Sequence, residues 1–185
     1  MDQNVKNYTQ KNISEFLKLL SLEGENFYDT PRRVAGVWDV FLTGEFSKKP
    51  VMKFFSTKSK EAVIMKNHIT WGFCPHHLLP VRYIINLGYI PNGKAVGLSK
   101  LPRLADYLIS KLPLQEDLTI ELAQLLHSET NSTGVACAIK GYHLCYAIRG
   151  AKSGDASFIT SHFINKMDST LYREEFLNFN NGGYL

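Results

Sequence analysis

Side chains that could bind a metal ion cluster in two short stretches of this sequence. The first, FCPHHLLPV at residues 73–81, holds Cys74, His76 and His77. The second, GYHLCYAIRG at residues 141–150, holds His143 and Cys145. Zinc favours thiolate and imidazole ligands, and a tight turn can aim a Cys-x-x-His pair at one ion. The two stretches therefore predict the two halves of one metal site.

These five residues outnumber the ligands that one catalytic zinc ion needs. We interpret Cys74, His77 and Cys145 as the metal ligands, which leaves His76 and His143 as acid–base groups. His143 and Cys145 are two residues apart in a strand-like run, so they are expected to share a face. The alternative is that both cysteines are ordinary buried thiols and the histidines are core residues. For each residue considered alone, the structural alternative is favoured. The five residues considered together favour a metal site.

A third stretch, VGLSKLPRLADYL, places Ser99, Lys100 and Arg103 at the predicted start of a helix. Backbone N–H groups at a helix start favour anions, and basic side chains add to that preference. Arg33 and Arg149 are further cations. The sequence is equally compatible with solvated surface charges, which is the usual situation of lysine and arginine.

A fourth stretch, LPLQEDLTIELA, places Gln115 and Glu116 at the start of another predicted helix. A carboxylate there commonly complements the helix dipole. The functional interpretation is recognition of a purine edge, because a carboxylate can accept from N1–H and the exocyclic amino group of guanine. Spacing alone favours the structural interpretation.

Hydrophobic periodicity indicates which elements must position these residues. Helices are predicted over residues 10–21, 29–44, 102–112, 116–128 and 169–179, and strands over 62–73, 81–91 and 135–150. Helices and strands do not alternate as in a parallel βαβ protein. The order predicts an α+β fold, with antiparallel strands and helices packed on one face.

Composition limits the class of protein. The chain has 185 residues, 44% of them hydrophobic and 21% charged, with a net charge of +4. These values predict one folded domain and a partner such as an anionic small molecule, not nucleic acid. Three cysteines do not make a disulfide framework, so a cytoplasmic location is expected, and Cys137 is predicted to be a core residue. No signal peptide or membrane-spanning segment is predicted.

Four motifs, in this order, resemble those of GTP cyclohydrolase I: CPHHLLP, GYIPNGKAVGLSKLPRL, LPLQEDLT and HLCYAIRG. TPRRVAGVWDVFLTG upstream and REEFL near the end also resemble it, so the similarity covers roughly residues 10–180. It implies a tunnelling fold, in which subunits assemble through a β-barrel into homo-oligomers, commonly decamers, with active sites between subunits. It also implies a catalytic domain at residues 29–185 after an N-terminal helical segment at 1–28.

The resemblance implies conversion of GTP and water to 7,8-dihydroneopterin triphosphate and formate. The residues that match the family's zinc ligands are Cys74, His77 and Cys145. The residues that match its catalytic groups are His76 and His143, with Ser99 assisting at the ribose. The residues that match its ribose and triphosphate contacts are Arg33, Ser99, Lys100, Arg103 and Arg149. The residues that match its guanine-reading pair are Gln115 and Glu116.

Three positions depart from the family pattern. Pro75 stands where glutamate is usual, Gly36 stands where lysine is usual, and Phe158 lies in a segment that is usually rich in threonine. Two alternative functions stay open at this point. One is a related enzyme that acts on another purine or pterin, or that stops after ring opening. The other is a zinc-stabilised binding module, for which four closed ligands would be typical, whereas an open position would favour catalysis.

Overall fold

The computed structural model describes residues 3–43 and 47–178. Two compact units are present, Met1–Lys48 and Lys49–Leu185. The boundary predicted between residues 28 and 29 concerns the start of the family's catalytic domain, and it stays a prediction.

The first unit is helical. Helix α1 spans Gln3–Leu19, a 3-10 turn spans Glu25–Phe27 and α2 spans Thr30–Thr43. α1 begins seven residues before the predicted start at residue 10, because the polar segment before that residue continues the helix. Lys6 on α1 contacts Asp39 on α2, with 3.4 Å between Nζ and Oδ2. The predicted end of α2 at Gly44 lies outside the described residues.

The second unit is built on an antiparallel sheet with the strand order β2-β3-β5-β6. Its strands are β2 Val63–Phe73, β3 Pro80–Ile90, β5 Gly134–His143 and β6 Phe158–Asn165. Two shorter strands, β1 Phe54–Ser56 and β4 Lys94–Val96, pair separately. The prediction of an α+β fold with antiparallel strands is confirmed.

Two helices, α3 Lys100–Ile109 and α4 Gln115–Thr130, cover one face of this sheet. Because side chains alternate along a strand, the odd-numbered residues of β3 and β5 point towards these helices. The core that results includes Tyr83, Ile85, Leu87, Leu104, Leu118, Leu122, Leu126, Val135, Cys137 and Ile139. Cys137 is therefore the core residue that its position predicted. No helix among the described residues combines the length and apolarity required to cross a membrane.

Another helix of the second unit, α6 Thr170–Asn178, packs on the opposite face of the sheet. Its Phe176 is fully buried against Ala136 and Ala138 of β5 and meets the ring of Phe163 edge-on at 5.8 Å. The expectation that the helices lie on one face is therefore wrong for α6. Small side chains on this face of β5 leave room for the aromatic ring, which alternation alone did not reveal.

The β-rich run predicted over residues 135–150 is shorter than expected. β5 ends at His143, and a helical turn, α5 Leu144–Ala147, follows it. The ladder between β3 and β5 ends at the pair Val81 and His143. The expectation that His143 and Cys145 share a strand face is therefore wrong, because Cys145 lies on α5.

Candidate active site

A tight turn between β2 and β3 carries the first predicted half of the metal site. Cys74 follows the last residue of β2, and its backbone N–H donates to the carbonyl of Leu79 at 2.9 Å. The N–H of Leu78 donates to the carbonyl of Cys74 at 2.9 Å, and Leu78 has a positive φ of 51°. These contacts close the turn and present His76 and His77 on its exposed side.

Both predicted halves meet at one pocket of about 270 Å³. Three segments surround it: the turn after β2, the start of α4, and the adjoining ends of β5, α5 and β6. Its lining residues are Cys74, Pro75, His76, His77, Pro113, Leu114, Gln115, Glu116, His143, Cys145, Tyr146, Phe158 and Thr160. The pocket therefore combines potential metal ligands with a carboxylate, histidines and apolar walls.

Three of these residues form a group that could hold a metal ion. The ligand atoms of Cys74, His77 and Cys145 all lie within 4.8 Å of one another. Sγ of Cys74 is 3.7 Å from Nδ1 of His77. Ligands at zinc distances of about 2.0–2.3 Å in a tetrahedron are separated by about 3.5 Å, so this donor set fits such an ion. His76 is not part of the group, although its Nδ1 lies 3.8 Å from Sγ of Cys74.

The thiols of Cys74 and Cys145 differ from the thiol of Cys137 in their surroundings. Burial and the neighbouring Cys74 raise the pKa of the Cys145 thiol, because two adjacent thiolates repel each other. A bound cation would remove that penalty and stabilise both thiolates. Cys137 is fully buried among apolar side chains, and burial alone raises its pKa. Only the first two thiols are placed to bind a metal.

His143 is half-buried at the end of β5, where it faces the pocket. Burial lowers its pKa, and the nearby Glu116 carboxylate acts in the opposite direction with a smaller effect. Its ring meets Tyr83 edge-on at 6.2 Å and Phe158 edge-on at 5.8 Å. The lowered pKa favours the neutral imidazole near pH 7, a form that can accept a proton.

Gln115, the first residue of α4, is buried beneath this histidine. Its Oε1 lies 2.9 Å from Nε2 of His143. Its Nε2 donates to the carbonyl oxygens of Ile139 at 3.2 Å and Phe158 at 2.9 Å, and lies 3.3 Å from the hydroxyl of Thr160. The amide is thus engaged at both ends by this chain's own atoms. The neighbouring Glu116, in contrast, is exposed on the pocket side of the same helical turn.

Comparison with known proteins addresses the resemblance seen in the motifs. Residues 9–181 match the family model of GTP cyclohydrolase I. The chain belongs to the GTP cyclohydrolase I family. The prediction made from the four motifs is confirmed, and with it the assignment of the chain to this class of enzymes.

Several relatives of this GTP cyclohydrolase I family member are similar over most of the chain. GTP cyclohydrolase 1 2 of Pseudomonas aeruginosa is 34% identical over 157 residues, which cover 83% of this chain and 87% of the relative. GTP cyclohydrolase 1 of Porphyromonas gingivalis is 34% identical over 172 residues, which cover 88% and 89%. The bifunctional protein FolKE of Lactococcus lactis is 34% identical over 159 residues, and the match spans 46% of its length.

The structure brings together seven of the predicted site residues of this cyclohydrolase family member. They are Cys74, His76, His77, Gln115, Glu116, His143 and Cys145. Ser99, Lys100, Arg103 and Arg149 are absent from the described lining of the pocket. Ser99 immediately precedes α3, Lys100 begins it, and Arg103 and Arg149 are exposed. Arg33 is exposed on α2 in the first unit, where its guanidinium lies 3.6 Å from the Asp29 carboxylate.

Sequence reasoning missed the residues that hold the pocket's polar groups in place. Thr160 approaches the hydroxyl of Thr119 at 2.6 Å and the amide of Gln115 at 3.3 Å. Gly141 lies directly against Gln115: a Cβ there would overlap Oε1 of Gln115 and lie 3.0 Å from Nε2 of His143. Phe158, noted only as a departure from the family pattern, forms a wall of the pocket. These residues come from β5, β6 and α4, so no local motif links them.

Proposed function

We propose that this pocket catalyses the zinc-dependent GTP cyclohydrolase I reaction, in which GTP is hydrolysed at C8 of guanine to release formate and form 7,8-dihydroneopterin triphosphate. The observation that carries the proposal is the placement of a Cys-His-Cys group in the same pocket as His143 and Glu116. Family membership and the names of the relatives support the same reaction.

The metal would be held by Cys74, His77 and Cys145, and zinc suits this mixture of thiolates and imidazole. When bound, zinc lowers the pKa of water and so supplies a nucleophile at neutral pH. The three ligands found in the described part of the chain would leave one position of a tetrahedron open, which is typical of catalytic sites. This count favours the enzyme over a zinc-stabilised binding module, for which a fourth protein ligand would be expected.

Guanine recognition is assigned to Glu116 at the start of α4. Its carboxylate is exposed to the pocket and can accept from both N1–H and the exocyclic amino group of the base. The apolar side chains of Leu114, Tyr146 and Phe158 line the same space and can pack against the ring. Such walls exclude water and strengthen the hydrogen bonds to Glu116.

Proton transfer is assigned to the two histidines that are not in the metal group. His143 is assigned to take up a proton and pass it to the imidazole ring nitrogen of guanine, which makes C8 more electrophilic. His76, exposed at the mouth of the turn, is assigned to proton shuttling while the ribose opens and recloses onto the pyrimidine. Ser99 is assigned to assist at the ribose.

The triphosphate is assigned to basic residues outside the pocket of a single chain, namely Arg33, Lys100, Arg103 and Arg149. We propose that a homo-oligomer of the tunnelling fold, namely a decamer, brings these residues to the pocket of a neighbouring copy. The strands β2 and β6 are the edges of the sheet, and unpaired edges can pair between subunits. Ile69 and Trp71 on β2 and Ile159 on β6 are exposed apolar residues at these edges. Free thiols support placement in the reducing cytoplasm.

The deciding experiment measures formate release and pterin absorbance in one sample of zinc-loaded protein supplied with GTP. Both signals are expected. Formate without the pterin would indicate a relative that stops after ring opening. If neither signal appears while zinc is bound, the proposed function is wrong and the binding module becomes the better explanation.

A further inference from the structure

We propose that Gln115 is a positioning residue that holds His143 in its Nε2–H tautomer, so that Nδ1 is the nitrogen that exchanges a proton with the substrate. The catalytic consequence rests on the proposed function, whereas the tautomer can be measured without it. The resemblance implied a different role for Gln115, that of reading guanine beside Glu116.

The orientation of the Gln115 amide follows from its partners. One end of the amide faces the carbonyl oxygens of Ile139 and Phe158, at 3.2 Å and 2.9 Å. Carbonyl oxygens only accept hydrogen bonds, so this end must be the NH2 group. The oxygen of the amide is therefore the end that lies 2.9 Å from Nε2 of His143.

That orientation determines which nitrogen of His143 carries the proton. An amide oxygen only accepts, so Nε2 of His143 must donate to it. In the neutral ring the proton then resides on Nε2, and Nδ1 keeps its lone pair. Among the described residues, the hydrogen bond of the His143 ring to Gln115 is made through Nε2. Nδ1 is thus the nitrogen that can meet a substrate.

The surrounding structure keeps this pair in place. Gln115 is only 4% exposed, and its backbone carbonyl accepts from the hydroxyl of Thr119 at 2.8 Å. Tyr83 and Phe158 meet the His143 ring edge-on from two sides. Gly141 has no side chain, and this absence lets the Gln115 oxygen lie against β5 next to Nε2 of His143. Both ends of the Gln115 amide are thus engaged by atoms of this chain, which suits a positioning role.

The direct test is ¹⁵N NMR of zinc-loaded, substrate-free protein labelled at histidine and measured as a sediment under magic-angle spinning. The spectrum of His143→Asn assigns the His143 signals by their loss. A protonated Nε2 and an unprotonated Nδ1 are expected at a pH above the His143 pKa. A protonated Nδ1 in the neutral ring would overturn the proposal.

Kinetics of Gln115→Met separate positioning from guanine reading. Methionine has a similar length but lacks both the acceptor and the donors. Positioning predicts that kcat falls about tenfold or more while KM for GTP changes less than about threefold. Guanine reading predicts the opposite, a raised KM with kcat retained, and this result would overturn the proposal.

Gly141→Ala provides a second test that leaves Gln115 and His143 unchanged. The added methyl group displaces the amide oxygen, so the same loss of kcat and a change in the His143 NMR signals are expected. Gly154→Ala is the matched control, because a Cβ there meets nothing within 4 Å. Full kcat in Gly141→Ala together with an altered tautomer would contradict the catalytic role. Absence of GTP turnover by the wild-type protein would refute the proposed function, while the NMR result would still decide the tautomer.

Discussion

The first residues of α3 and α4, two helices of the second unit, have different surroundings. α4 begins with Gln115 and Glu116 inside the pocket, where the turn after β2 and the ends of β5 and β6 surround it. α3 begins with Lys100 just after Ser99, and neither lies in the described lining of that pocket. Helix starts offer the same backbone N–H groups. What distinguishes them is the set of side chains that other elements bring to them.

The local contacts of the two helix starts make the same distinction. At α4 the Gln115 side chain bonds to residues of β5 and β6. At α3 the N–H of Lys100 donates to the carbonyl of Gly97, at 2.8 Å, within its own loop. The pocket that holds the Cys-His-Cys group and Glu116 is formed by one chain, whereas we propose that the contacts to phosphate come from another copy. The predictions below test this contrast.

The largest effect is expected from Cys145→Ala, which removes a ligand from the part assembled by one chain. Mutation of a residue that hydrogen-bonds to a zinc ligand typically weakens zinc binding by up to about 100-fold. Loss of a ligand itself should weaken it further. Metal analysis should find zinc lost and GTP turnover abolished. Cys137→Ala is the matched control, since that thiol is in the core: zinc should stay, and stability should fall by about 1 kcal/mol. Zinc retained by Cys145→Ala would contradict the ligand set.

His143→Ala should separate chemistry from metal binding. Removing an acid–base group is expected to lower kcat by about 100- to 10,000-fold, because proton transfer in the transition state is lost. Zinc content should match that of the wild-type protein, since His143 is outside the metal group. Metal analysis and steady-state kinetics on the same preparation provide the test. Unchanged turnover would exclude the acid–base role.

Glu116→Ala should weaken GTP binding while leaving the fold unchanged. Hydrogen bonds to a charged group contribute about 1.5–3 kcal/mol, so affinity should fall by about tenfold to 100-fold. The side chain is exposed, so the melting temperature should change little. Calorimetric titration with a non-hydrolysable GTP analogue measures the affinity. Equal binding by the variant would reduce Glu116 to a residue that complements the helix dipole.

Arg103→Ala should have the smallest effect alone, raising KM for GTP by about tenfold if its guanidinium contacts phosphate. Oligomers that contain subunits of two different variants are more informative than the single variant. Subunits of Arg103→Ala and His143→Ala, dissociated and reassembled together, should show turnover with the wild-type KM at about a quarter of the sites if each site draws on two copies. Turnover only with the raised KM in verified mixed oligomers would mean that Arg103 and His143 do not act across a subunit boundary.

The sequence predicted the parts of this protein that depend on local pattern. Period-3.6 apolar spacing predicted α3 and α4, and apolar β-rich runs predicted β2 and β3. Local pattern failed after His143, where the β3–β5 ladder ends and the apolar residues that follow form α5. It also failed for α6, because which face of a sheet receives a helix depends on the side chains already packed there.

The chemistry of the site was likewise predictable from the sequence only in part. The sequence by itself determined which residue types are available, since a Cys-x-x-His turn and a distant His-x-Cys can serve few purposes other than metal binding and proton transfer. Only the tertiary structure decided that the Gln115 amide is buried against His143 while the Glu116 side chain stays exposed at the pocket. Consecutive residues of a helix point about 100° apart, so the packing of β5 and β6 against Gln115 leaves Glu116 exposed.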